Sequence, residues 1–306
     1  MSGGRPARRA LLRSAGSLAA LAVLPGPLRA LGRLRGNPDE ERLAAWTARL
    51  RSEGSGAAGR PFGTSVIRAG ELAIGSPYVA ATLETYLESG GSPRAEPLIL
   101  SLTRFDCVTL VEASIAVARV ALGEKPPAWA SFAREVERMR YRGGVRAGYA
   151  SRLHYFSEWI ADGARRGLLN DLSRDLGGDP DGRPLRFMSE HRGSYPALAN
   201  DAVYAEIAIM ERRLDGTPRY VLPKEALASV SGRIESGDVL AFATTIPGLD
   251  VTHAAFAHRD ARGTLRVLHA PLSGGVVEIT RSTLPEYVAA IRGCSGILVA
   301  RPVRAP

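Results

Sequence analysis

Cys107 lies in "RFDCVTLVE" (104–112) and is one of two cysteines among 306 residues; Cys294 is far downstream in "GCSGILV". A cysteine beside an aspartate is a nucleophile wherever its surroundings favour the thiolate. Val108, Val111, Ile115 and Ala118 recur at helical steps, so Phe105 to Leu122 reads as a half-buried helix. Two starts fit it: a capping box from Thr103 to Asp106, or Asp106 as the N-cap itself. Either places Cys107 in the first turn, where unpaired amides and the helix dipole stabilise a thiolate. The same amides suit the oxyanion of a tetrahedral intermediate. The opposing reading is a small, buried and inert side chain. A Cys107–Cys294 bridge has no support in the spacing.

A thiol nucleophile needs a base, and the chain has five histidines. His191 falls in a loop-like stretch and suggests no role; His154 follows "YASR". His253, His258 and His269 cluster in a hairpin whose turn, "DARGT", suits a three-residue loop with a glycine bulge at Gly263. Pairing Asp260 with Thr264 sets His253 opposite Pro271 and Ala255 opposite His269. His253 and His269 are then diagonal neighbours on one face; a two-residue loop would separate them. His258 points to the other face and is expected to be solvated. A base in His253 and an orienting imidazole in His269 complete the nucleophile–base–orienter logic of hydrolases. Zinc on His253, His269 and Asp250 is the rival arrangement, but no H-E-x-x-H or paired-cysteine spacing accompanies it. No metal or other cofactor is expected.

The elements that must position these groups come in two blocks. Helices are expected at 37–53, from about Tyr78 to Leu87, at 105–122, over "PAWASFAREVERMRYRGG", over "SRLHYFSEWIADGARRG", from Pro196 to Leu214, and over "YVLPKEALASV". Residues 54–63 read as a flexible break and 170–200 as loop. From Ile234 the pattern turns to short strands: "GDVLAFATT", "DVTHAAFAHRD", "TLRVLHAPL", "GVVEIT" and "GILVARP", with a helix near Leu284–Ile291. Helices first and an antiparallel sheet afterwards predict an α+β fold.

With 45% hydrophobic and 23% charged residues, the chain is neither disordered nor fibrous. The net charge is +9, but residues 1–30 hold five arginines and no acid, leaving about +4 for the rest. No basic stripe with aromatics and no nucleic-acid-binding motif accompanies that charge, so nucleic acid is set aside. Residues 1–30 read as an export signal, twin-arginine-like at Arg8-Arg9, with an apolar run too short to span a bilayer. The expectation is an exported, periplasmic protein, monomeric and without stable membrane insertion. Residues 31–62 then form an N-terminal helix and linker, and 63–306 a single catalytic domain.

"FDC" at a helix start, followed in order by "GDVLAF", "THAAFA" and "LHAP", resembles the NlpC-type papain-like cysteine hydrolases of bacterial cell walls. Within that superfamily, "GSPYVAATLE", "RFDCVTLVE", "MRYRGG", "YASRLHYFSEWI", "YVLPKEAL" and "LHAPLSGGV" resemble the N-acetylmuramoyl-L-alanine amidase-like branch, over about residues 65–302. The resemblance implies a papain-like core, a Cys107–His253–His269 triad and Tyr78 near the site as an oxyanion donor beside Asp106. It implies that Ser151, Arg152, His154 and Tyr155 line the substrate cleft, with Asp250 and Thr252 at its rim. The implied partner is peptidoglycan or its muropeptide fragments. Stem-peptide endopeptidases of this superfamily show D-C-S-G where this chain has Asp106-Cys107-Val108-Thr109. That departure favours the amidase reaction over cleavage between D-glutamate and the diamino acid. A non-catalytic peptidoglycan-binding module is the third reading.

Overall fold

The computed structural model describes residues 37–54, 59–272 and 275–304; the expected export signal lies outside them. Helix α1 (Pro38–Ser52) begins where the Asn37 side chain accepts the Asp39 amide, with three acids in its first turn. Leu43, Trp46 and Leu50 of α1 enter the same apolar cluster as the later helices, so this segment is part of the packed core. The expected break ends at Phe62, where α2 (Phe62–Leu72) starts and buries Val66, Ile67 and Ala69. Its helical signal was too short to stand out beside the glycines, and tertiary burial supplies what propensity does not.

Helices α3 (Cys107–Leu122), α4 (Trp129–Arg140), α5 (Phe156–Arg165) and α6 (Asp201–Leu214) complete the first block. The expected helix from Tyr78 to Leu87 is a correction: the chain is extended at Pro77 and Tyr78, and only short turns cover 82–88. Backbone bonds tie it there, Tyr78 donating to Gly275 O and Val79 to Phe105 O, and Ala81 at φ 54° interrupts any helix. "YVLPKEALASV" likewise opens as a strand before reaching a short helix at Leu227–Val230.

The strands are β1 (Leu169–Asp171), β2 (Asp179–Pro180), β3 (Tyr220–Pro223), β4 (Val239–Thr244), β5 (Val251–Arg259), β6 (Leu265–His269), β7 (Glu278–Ile279) and β8 (Cys294–Pro302). They form one antiparallel sheet in the order β2-β3-β8-β4-β5-β6-β7, with β1 also on β8. At Gly296 of β8 a side chain would meet the Leu222 carbonyl at 2.1 Å, so glycine lets β3 close on β8. The sheet and the helices together make the α+β fold expected from the order of the elements.

Strand alternation divides the core in two. Val239, Ala241, Ala254, Phe256, Leu268 and Leu298 pack under helices α1 to α5. Leu240, Phe242, Ala255, Ala257, Val267 and Val299 face the other way, under α7 (Leu284–Ala290). Strand β4, "VLAFAT", is buried on both faces, which explains its unbroken apolar run.

The β5–β6 hairpin has the register expected from its turn. Phe256 pairs with Leu268 and Arg259 with Leu265, while the Asp260 amide donates to Thr264 O at 3.0 Å. Gly263, at φ 82°, takes the left-handed position that the three-residue loop requires.

Candidate active site

Asp106, not Thr103, caps α3. Its carboxylate accepts the Thr109 amide at 2.7 Å, and Thr109 Oγ1 accepts the Asp106 amide at 2.8 Å, closing a capping box. Thr109 thus holds the start of α3, and with it Cys107, in place. Cys107 is therefore the first helical residue, within the first turn that both readings required. Cys107 and Cys294 are both free; Cys294 Sγ donates to the Gly296 carbonyl at 3.2 Å.

The thiol meets the sheet at β5. Burial, followed by the Asp106 charge, pushes the Cys107 thiol up to about 12, against the pull of the Ala254, Val108 and Cys107 amides. Desolvation of the sulfur here opposes the helix N-terminus, whose amides favour the thiolate. The Ala254 amide beside the sulfur belongs to the residue after His253, which fixes the place of Cys107 along the strand.

A β-bulge precedes His253. Phe242 pairs with His253 and Ala243 with Val251, leaving Thr252 as the extra, exposed residue. The His253 ring stacks on Phe242 at 5.6 Å between centroids, and its Nε2 is 2.9 Å from His269 Nδ1. The two imidazoles meet edge-on, as the hairpin register predicts. Burial lowers His253 to about 4; burial and the His253 charge lower His269 to about 3. Both rings are neutral near pH 7, and the resting site is a neutral thiol with neutral imidazoles.

Two residues that the sequence reading did not single out complete this face. Tyr287 of α7 brings its hydroxyl to 3.2 Å from His269 Nδ1, and Glu278 of β7 is the cross-strand partner of His269. Glu278 stood inside a recognised strand, but pairing it with His269 required the β6–β7 register, which the intervening loop conceals. Tyr78, half-buried, senses the Cys107 and Asp106 charges after burial itself, all three raising its pKa. The thiol charge is felt at Tyr287 as well. The thiol charge thus reaches both phenols.

The segment expected to line a cleft is built differently. Arg152 is 7% exposed, paired with Glu84 at 2.5 Å and Glu96 at 3.4 Å, and lies over the Tyr149 ring. Tyr155 is in the core, donating to Glu211 at 2.7 Å. The Ser151 hydroxyl donates to Gly148 O, and His154 Nε2 donates to Tyr149 O at 2.8 Å. Asp250 is buried too: its carboxylate accepts the Ser157 and Val251 amides, both at 2.7 Å, capping α5 where Tyr155 offers no side-chain cap. These contacts assign Arg152, Tyr155 and Asp250 to the packing behind the site rather than its surface. They also take Asp250 away from a zinc site: its oxygens serve amides, while the two imidazoles bond each other. His258, expected in solvent, instead bonds Glu71 of α2 at 2.9 Å.

A groove of about 620 Å³ lies at the far end of α3, lined by Arg119, Lys125, Arg134, Glu135, Arg138 and Arg304. Arg119 is 12 residues beyond Cys107, about 18 Å along the helix axis, so this groove is separate from the thiol.

Residues 68–296 match the AmiA-like family, described as N-acetylmuramoyl-L-alanine amidase-like. A crystal structure of an N-acetylmuramoyl-L-alanine amidase from Bacteroides uniformis is 31% identical, with a TM-score of 0.72, covering 79% of this chain and 99% of that one. A putative xylanase from Bacteroides fragilis is 34% identical, with a TM-score of 0.69, covering 76% and 99%. A Legionella pneumophila protein at 16% identity and a TM-score of 0.62, covering 86% and 94%, shares the fold. No curated protein matches the chain.

Proposed function

Because the chain belongs to the N-acetylmuramoyl-L-alanine amidase-like family, we propose that it cleaves the amide between N-acetylmuramic acid and L-alanine through Cys107, His253 and His269. It is an amidase-like hydrolase; the bond and the triad are our reading. The observation that carries it is the His253–His269 hydrogen bond at 2.9 Å, on the strand whose next amide lies against the Cys107 thiol. That is a base with an orienter, placed beside a nucleophile at a helix N-terminus.

The protonation states define the first step. With the thiol up at about 12 and His253 down at about 4, no ion pair exists at rest. The sulfur therefore attacks the lactyl carbonyl carbon as its proton passes to His253. The carbonyl oxygen becomes an oxyanion, held by the Cys107 amide and the Tyr78 hydroxyl. The C–N bond then breaks, and His253 returns the proton to the leaving L-alanine amine. A water molecule gives a proton to His253 and adds to the thioester; the C–S bond breaks, and the thiol is restored alongside the muramic acid carboxylic acid. A papain-like arrangement of helix and sheet fits this sequence of steps.

The substrate is peptidoglycan or its soluble muropeptides, and export of the chain through residues 1–30 would bring it to them. Digestion of defined muropeptides, with mass spectrometry of the products, tests the reading. Release of a free L-alanyl amine that disappears in Cys107→Ala is expected. Cleavage after D-glutamate would instead identify a stem-peptide endopeptidase, and no cleavage a binding module.

A further inference from the structure

We infer that Glu278 is a positioning residue of this site, holding the proton of His269 on Nε2 so that Nδ1 stays free to accept from His253. The inference rests on the triad reading above. Three successive strands contribute to it: His253 on β5, His269 on β6 and Glu278 on β7, with His269 and Glu278 directly opposite. His269 Nε2 is buried with no hydrogen-bond partner among the described residues, and the Glu278 carboxylate is 3.8 Å away. The His269 side chain is 2% exposed, whereas that of Glu278 is 48% exposed. Less than an ångström of closure converts the gap into a charge-assisted hydrogen bond.

Proton bookkeeping gives the contact its consequence. His253 can take the thiol proton only through a bare Nδ1, because its Nε2 is the atom facing His269. The proton of neutral His253 must then be on Nε2, donated to a bare Nδ1 of His269. His269 in turn carries its own proton on Nε2, the atom facing Glu278. The opposite tautomer reverses the chain: His269 Nδ1–H donates to His253 Nε2, and His253 Nδ1 is protonated and useless as a base. Tyr287 is compatible with this choice, since its hydroxyl at 3.2 Å can share a bare Nδ1 as a second donor. Burial first, then the Glu278 charge, raise the Tyr287 hydroxyl to about 12, which keeps it a donor.

The test uses the full chain with Glu278→Ala and Glu278→Gln, assayed on a soluble N-acetylmuramoyl tripeptide. Ring ¹⁵N shifts of labelled protein report the His269 tautomer independently of turnover. Glu278→Ala is expected to lower kcat by about 10- to 100-fold, the scale of lost outer-shell orientation, with KM little changed. It should also move His269 toward the Nδ1–H tautomer. Glu278→Gln, which keeps an acceptor oxygen, should recover part of both losses. An unchanged kcat or an unchanged tautomer in Glu278→Ala would overturn the inference. A wild-type protein inactive on this substrate, or an active Cys107→Ala, would instead overturn the triad reading, and the tautomer measurement then decides the role of Glu278 alone.

Discussion

Two groups of polar residues flank the same sheet, and they are bonded in different ways. Around Arg152, the guanidinium meets Glu84 and Glu96, Tyr155 meets Glu211, and Asp250 caps α5, all deep in the protein. Around His253, two neutral imidazoles bond each other, one ring nitrogen of His269 has no partner among the described residues, and the half-buried Cys107 thiol meets the amide of the next residue, Ala254. Buried ions held by counter-ions describe residues that hold a shape; neutral imidazoles joined ring to ring describe residues able to pass protons. Residue type alone cannot make this distinction, because both groups contain histidine and acid.

The comparison breaks most directly at the two histidines. His253→Ala should lower turnover on the order of 10³-fold or more while the protein stays folded. His154→Ala should reduce thermal stability and leave turnover of the folded fraction within a small factor. Paired measurements of kcat and melting temperature check both, and the reverse pattern would exchange the roles of the two groups.

Arg152 probes the other side. Arg152→Ala leaves Glu84 and the nearly inaccessible Glu96 without their counter-ion, and breaking such a buried pair costs about 3–5 kcal/mol. Denaturant unfolding should show that loss. A change under about 1 kcal/mol together with lost turnover would return Arg152 to the substrate cleft.

The pH dependence separates the groups less sharply. His154, His253 and His269 all have folded pKa values below the ordinary 6.5, chiefly from burial. Below pH 6.5 the unfolded chain takes up protons that the folded protein refuses, so stability falls as pH drops from about 6.5 toward 4. Activity should outlast that decline: the acid limb of kcat/KM is expected near pH 4, where His253 protonates, rather than near 6.5. Calorimetry and rate profiles over pH 3–8 check the two windows.

Much of the site could be read from sequence because it depends on local chemistry. Asp106 announced a helix start, and Gly263 set the hairpin register that brings His253 and His269 together. What escaped depends on distant partners. His258 finds Glu71, 187 positions away, and Arg152 finds Glu84 and Glu96 before its own segment begins. Tyr78 is extended because Phe105 and Gly275 capture its backbone, a pairing that no periodicity near Tyr78 encodes. Resemblance reached the 151–155 segment but could not say whether its side chains face substrate or core.

The smallest effect concerns Asp106, where structure and chemistry overlap. Its side chain is both the N-cap of α3 and, after burial, the main cause of the raised thiol pKa. Asparagine caps a helix about as well as aspartate, so Asp106→Asn should leave stability nearly unchanged. It removes the negative charge beside the sulfur, so the thiol pKa falls and the thiolate fraction at a given pH rises. Alkylation of Cys107 by iodoacetamide should therefore become faster, with the rate still climbing between pH 7 and 9 because burial continues to oppose ionisation. A slower or unchanged rate in a variant of wild-type stability would mean that the Asp106 charge does not govern the thiol, and that its place before the cysteine serves the helix alone.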